Sequence, residues 1–190
     1  YGAQFLSKLS EFKKEGYLPE SIINFMAFLG WNPGDEREIY SISSLIKEFS
    51  LEKVQKAGAV FNVKKLDFLN GFYIRQKSAE KLTELCIPYL AEKGLLAPIW
   101  GQKELIVGVV KFPTEVTGYQ IIETKEIISF ETLEKIVSLY RERLKKLSEI
   151  SELTDFFFKD RLEYDKDLLK WQDMTDKEIK VSLDKLESIL

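Results

Sequence analysis

A chain of 190 residues exceeds the common single-domain length, so it holds one large domain or two small ones, and two are favoured. Hydrophobic residues at 45% and charged residues at 31% suit a soluble globular chain with a real core, and no stretch approaches the roughly 20 apolar residues of a membrane span. Histidine is absent, which removes the usual general base, the commonest zinc ligand and the histidine-dependent triads; a net charge of −3 leaves any nucleic-acid site to a local patch.

Residues 3–15 carry Phe5, Leu9 and Phe12 at helical spacing, with Gly16 as a stop. Pro19 and Glu20 open a second helix that is apolar almost all round as far as Gly30, which predicts a buried element. Trp31–Asp35 is a turn cluster, after which Ser41 or Ser43 caps a helix through Leu45, Ile46 and Phe49, and a further short helix begins near Leu51. Helices are predicted over 64–76 and 78–93, the second started by Ser78 and closed by Gly94. Cys86 lies on the apolar stripe of that second helix, where a buried thiol is favoured over a nucleophile; being the single cysteine, it forms no internal disulfide.

Residues 97–128 change character. Leu105–Val110 and Tyr119–Ile122 are β-branched or aromatic runs with Pro113 and Gly118 between them, which predicts a β-hairpin. From Phe130 the helical period returns, with Phe130, Leu133, Ile136, Val137, Tyr140, Leu144 and Leu147 on one stripe. Thr175 and Glu178 have capping-box spacing ahead of a last helix faced by Ile179, Leu183, Leu186 and Leu190. The class is therefore mainly α in two parts, with a boundary in or near the hairpin.

No phosphate-cradling glycine loop, Cys/His cluster or nucleophile elbow is present, so catalysis by this chain alone is not expected. Carboxylate pairs such as Asp35 with Glu36 or Asp165 with Asp167 read as solvated turns. Between Glu134 and Lys146 stand Lys135, Arg141, Arg143, Lys145 and Lys146 against two acidic residues. On a continuing helix Arg141 and Arg143 would flank the apolar stripe, and two readings stay open: complementing the helix dipole, or binding RNA. In KKLDFLNGFYIRQ, Lys64, Lys65, Arg75 and Lys77 bracket Phe68, Phe72 and Tyr73, which suits phosphate binding with base stacking and equally suits a helix burying its aromatics. Asn70 and Gly71 interrupt that helical pattern, and a mid-helix glycine costs about 1 kcal/mol relative to alanine, so a packing or functional demand is implied.

GYLPESIINFMAFLGWNPGDEREIYS, residues 16–41, resembles the helix and turn that follow the KMSKS loop in bacterial-type glutamyl-tRNA synthetases. LIKEFSLEKVQKAGAVFNVKKLDFLNGFYIR, residues 45–75, resembles that family's stem-contact domain, and LEKIVSLYRERLKKLSEISELTDFFF with LLKWQ resembles the start of its helical anticodon-binding region. Neither a HIGH-type motif nor the KMSKS loop is present, and SKLS at 7–10 lies within the helix after that loop. The resemblance implies a stem-contact domain over 1–96 and the first part of a helical anticodon-binding domain over 129–190; it does not cover 97–128, where the residues themselves predict a β-hairpin insertion. It implies a parent enzyme that uses ATP and Mg²⁺ to join glutamate to tRNA(Glu), with this chain docking the tRNA and holding no cofactor itself. The implied partners are tRNA(Glu) and the catalytic domain of the same polypeptide, without membrane or DNA, in the cytoplasm. The site residues carried over are Lys65, Leu66 and Phe68 in the stem-contact helix and Arg143, where discriminating members carry an arginine near the third anticodon base. Two competing readings are a helical protein-interaction module and a glutaminyl or non-discriminating synthetase.

Overall fold

The computed structural model describes residues 2–54, 61–101, 104–107, 110–113, 115–163, 166–170 and 174–187. Two compact units are present, Tyr1–Phe158 and Lys159–Leu190. In the first, α1 (Gly2–Glu15), α2 (Pro19–Phe28), α3 (Ile42–Glu48), α4 (Val63–Arg75) and α5 (Ala79–Glu92) precede five short strands, followed by α6 (Phe130–Tyr140) and α7 (Ile150–Thr154). The expected mainly α class is what is found. Local chemistry sets the helix starts: the side chains of Ser41, Asn62, Ser78 and Ser129 each accept a hydrogen bond from the backbone N–H three residues on, and Pro19 opens α2. Of the two caps open for α3, the structure uses Ser41.

The β region holds more pairing than one hairpin. Strands β1 (Leu96–Trp100), β4 (Val116–Ile121) and β5 (Ile127–Ile128) form an antiparallel sheet in the order β1-β4-β5, with Leu96 opposite Ile121 and Tyr119 opposite Ile128. Strands β2 (Glu104–Val107) and β3 (Val110–Pro113) form a separate two-stranded sheet among the described residues, so the two apolar runs expected to face each other lie in separate sheets. An apolar run signals a strand but does not name its partner. Leu96, Ile121 and Ile128 are buried, and this anchors the three-stranded sheet to the helical core.

That core joins segments far apart in sequence: Leu18, Ile74, Leu82, Cys86 and Leu90 pack with Leu133, Ile136, Leu144, Leu147, Ile150 and Phe158. A second cluster, Tyr17, Ile22, Phe25, Leu66 and Leu69, joins α2 to α4. The expectation that α2 is buried all round is corrected. Its inward face is Ser21, Ile22, Asn24 and Phe25, whereas Ile23 and Met26 stay exposed because α4 and α3 cover only one side. Cys86 is fully buried, and desolvation pushes its thiol up to about 12. A thiol-reactive dye at pH 8 should therefore leave native protein unlabelled and label it in urea; fast native labelling would contradict this packing.

The second unit carries α8 (Asp176–Glu187), where the Thr175 N–H and hydroxyl both donate to the Glu178 carboxylate at 2.8 Å, fulfilling the N3 half of the expected capping box. Leu190, Asp165 and part of LLKWQ lie outside the described residues.

Candidate nucleic-acid interface

Helix α4 separates its residues by stripe. Positions 64, 67, 68, 71 and 75 follow the i, i+3/i+4 spacing that places side chains on one face, while Leu66 and Leu69 turn inward to α2. The outward stripe forms one wall of a groove of about 550 Å³, with Glu142, Arg143, Leu144 and Lys145 on the other wall. Four cations (Lys64, Arg75, Arg143 and Lys145) and two carboxylates (Asp67 and Glu142) line it around Phe68, whose ring is 53% exposed. Both carboxylates are engaged: Asp67 accepts a 2.5 Å hydrogen bond from the Tyr17 hydroxyl, and Glu142 lies 3.8 Å from Arg75 Nε. Burial raises the Tyr17 pKa, and the bond to Asp67 raises it further, so the phenol stays a donor.

The opposite wall exists because α6 stops early. The expected stripe through Leu147 is real as burial, since Leu144 and Leu147 are both inside, but the helix ends at Tyr140. Arg141 N–H and Arg143 N–H turn to the carbonyls three residues back, at 3.4 and 2.9 Å. Glu149 then takes the N–H groups of Lys145 and Lys146 at 2.8 and 3.1 Å, which starts the next turn. Arg141 and Arg143 therefore lie beyond the helix and do not flank its stripe. Asn70, fully buried, holds the returning strand of chain: its Nδ2 donates to Lys145 O at 2.6 Å and to Gly16 O at 3.2 Å, while its Oδ1 accepts from Leu18 N–H and Ser21 Oγ. Gly71 lets the turn close in, for a β-carbon there would stand 3.3 Å from Leu144 O and 3.2 Å from Arg75 Nη1. The irregularity at Asn70 and Gly71 is thus a packing demand that shapes the groove.

Comparison with known proteins gives the chain a family. Residues 81–190, more than half of the chain, match the family described as "Anticodon binding domain". The chain belongs to that family. Residues 3–68 match "tRNA synthetases class I (E and Q), catalytic domain", although a chain without histidine contains no HIGH motif. Its relatives are glutamate–tRNA ligases: that of Treponema denticola is 41% identical over 80% of this chain, and that of Borreliella afzelii 34% identical over 96%. The chain spans 29% and 32% of those two proteins' lengths. The crystal structure of glutamate–tRNA synthetase from Elizabethkingia anophelis superposes with a TM-score of 0.60 at 29% identity, covering 94% of this chain and 33% of that one.

Within this anticodon-binding-family chain the four carried-over residues fall in three different settings. Phe68 and Arg143, 75 positions apart, meet in the groove. Arg143 is exposed, with its guanidinium carbon 5.6 Å from the Tyr140 ring centroid. Lys65 faces the other way: its Nζ pairs with Glu38 at 2.6 Å and lies 5.7 Å from the Phe28 ring. Leu66 is 1% exposed and packs against α2, so its side chain offers RNA no surface. Lys64, Arg75 and Lys145 are the other cations of the groove, and the stripe period through Phe68 draws the first two onto one face. Lys77, the other cation of that segment, is held by Glu20 at 2.6 Å. Among the described residues no cluster of His, Cys, Asp or Glu could hold a metal ion, and no helix is long and apolar enough to cross a membrane.

Proposed function

We propose that this chain supplies tRNA docking to a glutamate–tRNA ligase, with the Phe68 groove as the contact surface. The observation that supports this most is the convergence of four cations from two distant segments around one exposed aromatic, in a chain of the anticodon-binding family. Cations of this kind hold phosphate, and an exposed ring stacks an unpaired base. Residues 1–96 act as the stem-contact part, 97–128 as an insertion and 129–190 as the first part of the anticodon-binding part. ATP and Mg²⁺ serve the catalytic portion of such a ligase, in the cytoplasm and without membrane or DNA; the side chains lining the groove fit neither. On this reading the chain alone makes no glutamyl-adenylate, and glutamate-dependent ATP–pyrophosphate exchange by it would overturn that part.

Binding of tRNA should be micromolar or weaker and salt-sensitive. Three or four phosphate contacts give a slope of log K against log salt of about −3. Lys64→Glu with Lys145→Glu should weaken binding by at least about tenfold, since both contacts are lost and two repulsions added. Lys65→Ala should weaken it less and equally for all tRNAs, because a lysine already paired with Glu38 carries no base information. A flat salt titration, or equal binding of the double variant, would favour a protein-interaction module instead.

A further inference from the structure

Arg143 sits in the middle of a short turn that is fixed to α4 on both sides. Two residues after it, the Lys145 carbonyl is held by Asn70. Two residues before it, Arg141 reaches back to the end of α4, where its Nη2 donates to the carbonyls of both Arg75 and Lys77. The Arg75 carbonyl is the last of the helix, left without a partner inside it and part of its negative dipole end, and the Lys77 carbonyl lies just past that end, so a guanidinium is well matched to the pair. Arg141 is only partly exposed and does not line the groove, whereas Arg75, whose carbonyl it holds, does.

We propose that Arg141 is a positioning residue for RNA binding: by clamping the 141–145 turn onto the α4 terminus, it presents Arg143 and Lys145 to the same RNA segment that meets Phe68 and Arg75. This deepens the tRNA-docking reading and rests on it. Fixing cationic side chains before binding removes the ordering cost otherwise incurred on association, so the clamp adds affinity without touching RNA. The two N–H groups of Nη2 suit two carbonyls at once, and the uncharged Met offers them no donor.

The test is a double-mutant cycle in the full chain, with binding to a tRNA(Glu) transcript measured across a salt series. Arg143→Ala should weaken binding about tenfold in the wild-type background but less than about threefold when Arg141→Met is already present. Arg141→Met alone should lower the salt slope by about two contacts although it removes one charge, because Arg143 and Lys145 leave with it. Thermal unfolding reports whether each variant is folded. Arg141→Lys, which keeps a donor at the two carbonyls, is measured in parallel and should restore most of the affinity and of the coupling to Arg143. Independent, multiplicative losses, or a slope reduced by one contact alone, would overturn the positioning role and make Arg141 an ordinary phosphate contact or a stability residue. If the wild-type chain binds no tRNA, the docking reading itself falls, and this proposal with it.

Discussion

Asn70→Ala is expected to destabilise the first unit by about 3 to 5 kcal/mol, measured by urea unfolding. The amide is fully buried and uses both its donor and its acceptor ends. Its orientation is unambiguous, because Leu18 N–H can only donate and the Gly16 and Lys145 carbonyls can only accept. Truncation leaves the Leu18 N–H and the Lys145 carbonyl without that partner, each at about 1 to 3 kcal/mol, partly offset if water enters, while the Gly16 carbonyl keeps the Leu147 N–H. The Ser21 hydroxyl also bonds to Leu18 O and keeps that partner. A loss below about 1 kcal/mol would show that the four bonds do not act together in solution.

In a complete ligase, Arg143→Gln should relax discrimination at the third anticodon base by about ten- to a hundredfold, with a smaller drop in total tRNA affinity. The guanidinium offers paired donors in a fixed plane, a geometry glutamine cannot reproduce. Arg143 is exposed over Tyr140 and forms no ion pair among the described residues, so its donors are available. Steady-state charging of the cognate transcript and of one changed only at that base decides the matter. An unchanged ratio of catalytic efficiencies would leave Arg143 as a phosphate contact in the groove.

Much of the helical frame was legible in the sequence, because local chemistry specifies it: Ser78, Ser129, Pro19 and Gly94 act on their immediate neighbours. The end of α6 was not. Tyr140, Leu144 and Leu147 keep the helical period because all three still face the core, so burial periodicity outlasts the helix itself. What holds the chain after the helix is largely tertiary: Arg141 finds the carbonyls of Arg75 and Lys77, and Asn70 takes the Lys145 carbonyl, with only Glu149, which takes two N–H groups, close by in sequence. No local window along the chain joins this turn to Asn70, Arg75 or Lys77. The site shows the same division. The α4 stripe through Lys64, Phe68 and Arg75 could be drawn from spacing alone, and the inward period of Leu66 and Leu69 argued against Leu66 as a contact. The meeting of Phe68 with Arg143 and Lys145 requires the fold.

Gly16 binds the two family-matched stretches to each other through a backbone hydrogen bond. Its backbone is left-handed at φ +88°, its carbonyl accepts the Leu147 N–H at 3.1 Å, and a β-carbon would fall 2.5 Å from that nitrogen. The seam between the catalytic-family match and the anticodon-family match, residues 69–80, therefore does not coincide with a seam in the packing. Recombining enzymes at that sequence boundary would exchange half of a shared interior: a foreign partner must bring a backbone that fits against Gly16, and a carbonyl where Asn70 waits. Residues 1–158 pack as one compact unit, which takes in the whole catalytic-family match and much of the anticodon-family match.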